Sequence, residues 1–153
     1  MGTFRDNIVE IKPGFIIYFA LLLLVLPIRW IFAWIVAAGI HELCHFVALR
    51  AMRIRVISLV VGCSGAVMQT ESMHPWQELI SAMCGPFGGL LLLLFRKWLP
   101  LLSACAIIQT LFNLLPIYPL DGGRVIVALL KLLGIPKNLR RFFACKQSKL
   151  IVK

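Results

Sequence analysis

Two histidines and a glutamate stand together in the stretch AAGIHELCHFVALR, residues 37–50. His41 and His45 are four residues apart. On a helix that spacing stacks both imidazoles on one face, one turn apart, where they can grip a single metal ion. Glu42 follows His41 directly, about 100° round the helix. It can therefore reach a water on the metal without ligating it. This is the HExxH arrangement. Zinc held there lowers the pKa of its bound water to about 7. Glu42 would take that proton and pass it to a leaving amine, so the chemistry implied is metal-assisted hydrolysis of an amide bond.

The setting sharpens the reading. The chain of 153 residues is 61% hydrophobic, with a mean hydropathy of +0.94. A soluble domain is about 45–50% apolar, and a globule this small keeps much of its surface in solvent. The bilayer is the expected solvent and residues 1–153 a single membrane-embedded domain. HExxH matches also arise by chance, but ionisable groups inside a membrane span are rare and usually functional. Three together at metal-binding spacing are hard to explain as satisfied core polar groups.

Sixteen Lys and Arg face six Asp and Glu, a net charge of +10. The basic residues lie at the ends of apolar runs rather than on one polar face. That placement suits membrane orientation and anionic headgroups, not nucleic acid. The five cysteines, at 44, 63, 84, 105 and 145, include no CxxC pair. They read as reduced small hydrophobes rather than a disulfide framework. The first apolar run ends at Pro27, Arg29 and Trp30 with no A-x-A site, so it is not expected to be a cleaved signal.

The chemistry must be positioned by membrane elements. The expected fold is all-α, with about four transmembrane helices: residues 14–28, 30–49, 77–95 and 98–133, the last broken at Pro116–Gly123. A short re-entrant β-hairpin is expected between spans two and three, where Val56, Ile57, Val60 and Val61 precede Gly62, Ser64 and Gly65. Open strand edges are not tolerated facing lipid, so the hairpin should lie against protein or line a cavity. Residues 1–13 read as a short polar lead. Placing both termini in the cytoplasm puts Arg5, Lys12, Arg50, Arg53, Arg55 and the basic tail 135–153 on the inner side. Only Arg29, Arg96 and Lys97 then lie outside, as the positive-inside rule prefers.

A catalytic zinc needs a third protein ligand and an open position. Glu71 and Glu78 fall in a hairpin loop and at an interfacial helix start, and both read as headgroup-level residues. His74 precedes Pro75 and reads as an exposed turn residue. Asp121 remains. It closes a long uncharged run between Pro119 and two glycines, where an unpaired carboxylate would be costly.

The stretch HELCH, followed some seventy residues later by NLLPIYPLDGGR with AMCGPFGG between them, resembles the site-2 protease family of intramembrane zinc metalloproteases. The likeness is closest to the stage IV sporulation protein FB type and covers roughly residues 15–133. It implies that His41, His45 and Asp121 are the zinc ligands and Glu42 the catalytic base. It also implies that Asn113 holds substrate or stabilises the developing oxyanion, against a plain interhelical hydrogen bond. The implied activity is hydrolysis of a peptide bond in or near a transmembrane segment of a membrane-tethered protein, such as a pro-sigma factor. The alternative is an inactive or truncated member of the same fold that binds membrane proteins.

Pro116 and Pro119 break the last helix and let Asp121 swing toward the histidines. Gly85, Gly88 and Gly89 allow close packing of the third span. The hairpin edge would either hold unwound substrate by β-augmentation or serve as a simple connector. The tail PKNLRRFFACKQSKLIVK carries six basic residues and no acidic one, and is expected to meet anionic lipid headgroups. It stands where the family's FB-type members continue into further spans and a regulatory domain. Substrate choice is then expected to depend on helix instability in the substrate and on membrane-protein partners, an inhibitor among them.

Overall fold

The structure is a computed structural model and describes residues 8–62 and 65–135. The elements run β1 (Ile8–Ile11), α1 (Pro13–Val25), α2 (Ile28–Ala51), β2 (Val56–Gly62), β3 (Gly65–Thr70), α3 (Pro75–Leu91), α4 (Pro100–Asn113) and α5 (Asp121–Leu132). A 3₁₀ turn, Leu92–Phe95, extends α3.

Proline punctuates the helices. Pro13, Pro75 and Pro100 open α1, α3 and α4, and Pro27 sits at the N-cap of α2. A first-turn proline forfeits only an N–H that no helix would use. The start of α3 gains a further contact, because the His74 N–H donates to Gln77 Oε1 at 2.9 Å.

Among the described residues, two helices are long and apolar enough to cross a bilayer: α2, with 24 residues, and Pro75–Phe95, with 21. α1 and α4 have 13 and 14 residues, about 20 Å each at 1.5 Å per residue, short of the ~30 Å hydrocarbon core. The stretch 98–133 is therefore two helices, α4 and α5, with the proline-containing turn 114–120 between them.

The β-structure is larger than expected. The hairpin β2–β3 pairs Val60 with Val67 and Gly62 with Gly65, and a bulge falls between Val56 and Ser58. Ile8–Ile11, read from sequence as part of a polar lead, adds a third strand parallel to β2, with Ile8 opposite Ser58 and Ile11 opposite Val61. The order is β1-β2-β3. A purely helical architecture with an isolated hairpin is thus corrected to a mostly helical one with a three-stranded sheet. The gain is physical: a lone hairpin is marginal, and β1 satisfies one edge of β2.

Small residues hold the helices together. Ala33, Ala37, Cys105 and Ala106 are buried with Leu92 at the meeting of α2, α3 and α4. Such side chains let helix backbones approach closely. The Ser103 hydroxyl donates to the Leu92 carbonyl at 2.8 Å, satisfying a backbone group where the 3₁₀ turn begins. Large apolar side chains point outward instead, among them Leu24, Phe32, Phe87 and Leu111. Cys44, Cys84 and Cys105 are free, while Cys63 and Cys145, like the basic tail, lie outside the described residues.

Candidate metal centre

Three elements converge on one point. α2 supplies His41 and His45, which share a face of the helix and are both buried. His45 lies six residues before the end of α2, about 9 Å in from that end. α5 supplies Asp121 as its first residue, also buried. α3 passes behind them.

Asp121 Oδ2 lies 3.0 Å from His41 Nε2 and 3.1 Å from His45 Nε2. The two Nε2 atoms are 3.2 Å apart. Tetrahedral zinc, with ligands at about 2.0–2.1 Å, sets its donors about 3.3 Å apart, so the triangle fits. Donor chemistry agrees. His45 Nδ1 lies 2.7 Å from the Ser81 carbonyl, which can only accept. The ring proton of neutral His45 is therefore on Nδ1, and Nε2 presents a lone pair. That lone pair faces a second imidazole nitrogen and a carboxylate oxygen. A cation shared by the three atoms, or a proton on His41 Nε2, relieves this crowding, and the dimensions of the triangle suit a metal ion. Among the described residues, His41, His45 and Asp121 form the one cluster of at least three His, Cys, Asp or Glu donors able to share an ion.

Gly85 makes the space. A Cβ there would stand 2.1 Å from His45 Nε2 and 2.6 Å from His41 Nε2. Any side chain would occupy the ground on which the ligand atoms meet.

The turn before α5 explains how Asp121 arrives. α4 ends at Asn113, and Pro116 and Pro119 keep residues 114–120 from continuing it. A Cβ on Gly122 would fall 2.2 Å from the Leu114 carbonyl oxygen and 2.6 Å from that of Leu115. Only glycine lets the first turn of α5 dock against the end of α4. The same docking brings Asn113 beside the centre, with Nδ2 3.1 Å from His41 Nε2. Glu42 is half-buried and lines the same cavity, of about 440 Å³, that the ligands open into. The structure thus gathers His41, Glu42, His45, Asn113 and Asp121 at one site.

Other carboxylates and the third histidine are elsewhere. Glu78 pairs with Lys131 at 2.6 Å, and Glu71 and His74 are exposed. Two neighbours escaped the sequence reading. Ser81 is fully buried and its carbonyl orients His45. Arg124 reaches Asp121 Oδ1 at 3.5 Å and donates to Ser81 Oγ at 3.2 Å. Spacing held a signal for both. Ser81 is four residues before Gly85, and Arg124 three after Asp121, so each shares a helix face with a residue of the centre.

The rest of the cavity is largely apolar. Phe15, Phe19 and Leu22 of α1 face Ala66, Val67 and Met68 of β3 across it. Among the described residues β3 pairs with β2 on one side only.

No family model matches the chain. It is 36% identical to a Synechocystis protein named "Putative zinc metalloprotease sll0528", over 112 aligned residues that take in 63% of this chain and 29% of that one. The chain thus spans less than a third of that relative's length. Its structure is similar to that of the site-2 protease from Methanocaldococcus jannaschii, with a TM-score of 0.68 and 22% identity, covering 86% of this chain and 71% of the other. Helices and sheet together give this chain the fold of that site-2 protease.

Proposed function

We propose that the chain is an intramembrane zinc metalloprotease of the site-2 type, hydrolysing a peptide bond in or near a transmembrane segment of a membrane-tethered protein. The observation that carries this is the convergence of His41, His45 and Asp121, residues up to 80 positions apart, on one buried point within 3.2 Å of one another.

Each residue has a distinct task. His41, His45 and Asp121 would hold zinc, leaving one position open. A zinc held there would supply an acidified water and a Lewis acid for the scissile carbonyl. Glu42 accepts the proton of the attacking water and delivers it to the departing amine nitrogen. Asn113, with its amide beside His41, donates to the oxygen on which negative charge develops; such a donor is worth most in a dry site. The apolar cavity receives the substrate segment. Its backbone must be unwound to be cut, and the unpaired side of β3 can take it up as an added strand.

Both termini in the cytoplasm suit the distribution of basic residues; of the four expected crossings, α2 and Pro75–Phe95 have the length to span. The basic tail meets anionic headgroups, and a membrane-protein inhibitor or other partner supplies regulation. A membrane-tethered transcription regulator of the pro-sigma type suits a site opening near the cytoplasmic end of α2.

Co-expression with candidate single-span proteins tests the proposal. Wild type should shorten its substrate, and Glu42→Gln should leave it intact while retaining zinc. Equal cleavage by both proteins would refute the assigned chemistry.

A further inference from the structure

We propose that Arg124 is a positioning residue that keeps Asp121 a one-oxygen ligand; this rests on the metalloprotease reading above. The two oxygens of Asp121 keep different company. Oδ2 meets both imidazoles. Oδ1 faces Arg124 Nη1 at 3.5 Å. The other arm of the guanidinium, Nη2, donates to Ser81 Oγ at 3.2 Å. The Ser81 carbonyl in turn accepts from His45 Nδ1–H at 2.7 Å. These contacts close a ring through His45, Ser81, Arg124 and Asp121 that joins α2, α3 and α5.

A carboxylate can offer a metal one oxygen or two. A catalytic zinc site must keep a position for water. Arg124 occupies Oδ1 and leaves Oδ2 alone to ligate. Its rigid, permanently charged fork suits that task, because one arm can engage the carboxylate while the other is anchored to α3. Removing it frees Oδ1 to swing onto the metal and close the water's position. Arg124 is not alone in joining α5 to α3, since Lys131 and Glu78 pair across the same two helices at 2.6 Å. A second cation beside a metal dication is electrostatically unfavourable in a low-dielectric site. Only the carboxylate between them makes it tolerable, which argues for a purpose at the centre rather than in the scaffold.

Cobalt(II) serves as the probe, because the intensity of its visible bands falls as coordination rises above four. The full chain would be purified as wild type, Arg124→Met, Arg124→Lys and Ser81→Ala, loaded with Co²⁺, and examined by absorption and by metal content. Wild type should give an intense four-coordinate spectrum. Arg124→Met should still bind one equivalent, with bands several-fold weaker. Arg124→Lys, which keeps a charge on Oδ1, should remain near wild type. Ser81→Ala, which frees one arm of the guanidinium, should fall between wild type and Arg124→Met. An Arg124→Met spectrum identical to wild type overturns the proposal. If Arg124→Met fails to fold, a wild-type spectrum in Ser81→Ala overturns it. A wild-type chain that takes up no metal sinks the metalloprotease reading itself, a distinguishable result.

Discussion

Gly85 and His45 meet so closely that no larger residue fits between them: a Cβ on Gly85 would stand 2.1 Å from His45 Nε2. The same Cβ would be 2.6 Å from His41 Nε2. A backbone position on α3 thus shapes a candidate centre whose His41, His45 and Asp121 all come from other helices. Gly85→Ala should lower zinc affinity by roughly 100-fold or more, at or beyond the top of the 10–100-fold range typical of lost outer-shell partners. Competition against a chromophoric chelator measures this, with circular dichroism to show that the helices persist. Undiminished affinity would mean that the imidazoles do not meet where Gly85 leaves room.

Asn113 carries a different expectation. Its amide lies 3.1 Å from His41 Nε2 but it is not one of the three ligands. Asn113→Ala should leave zinc content unchanged and cut kcat about 10²–10³-fold, the loss seen when one oxyanion donor is removed. A rise in KM alone, with kcat intact, would reassign Asn113 to substrate binding.

Much of the centre was legible because its determinants are local. His41 and His45 announce a shared face, suited to a metal, by a four-residue spacing on an uninterrupted helix. Pro116 and Pro119 announce the break that precedes Asp121. What escaped depends on contacts distant in sequence. Arg124 meets Ser81 across 43 residues; local spacing places each on the helix face of a centre residue but does not pair them with one another. β1 was missed for a related reason. Four residues, Ile8–Ile11, carry too little periodicity to declare a strand, and their parallel partner β2 lies beyond two helices. No turn chemistry marks such a pairing, as Gly62 and Gly65 mark the hairpin.

The end of α2 offers a test of the scaffold alone. Arg53 has φ of 58°, and the Ile54 N–H donates back to the Leu49 carbonyl at 2.9 Å. This is a helix cap that ordinarily uses glycine. α5 ends in the same way with Gly134, at φ 69°, where Ile135 N–H donates to the Leu130 carbonyl. Arg53→Gly should raise stability by about 0.5–1 kcal/mol through relief of the left-handed conformation. Denaturation in a fixed detergent reads the change, and a lower midpoint would show that the arginine side chain contributes more than its backbone conformation costs.

The central claim is that a buried zinc is held jointly by α2 and α5. Metal content of the purified, membrane-extracted chain tests it most directly, with Glu42→Gln and Asp121→Ala in parallel. Wild type and Glu42→Gln should each carry one zinc per chain, and Asp121→Ala should carry little or none. An Asp121→Ala protein that retains zinc as tightly as wild type, or a wild type that holds none, would contradict it.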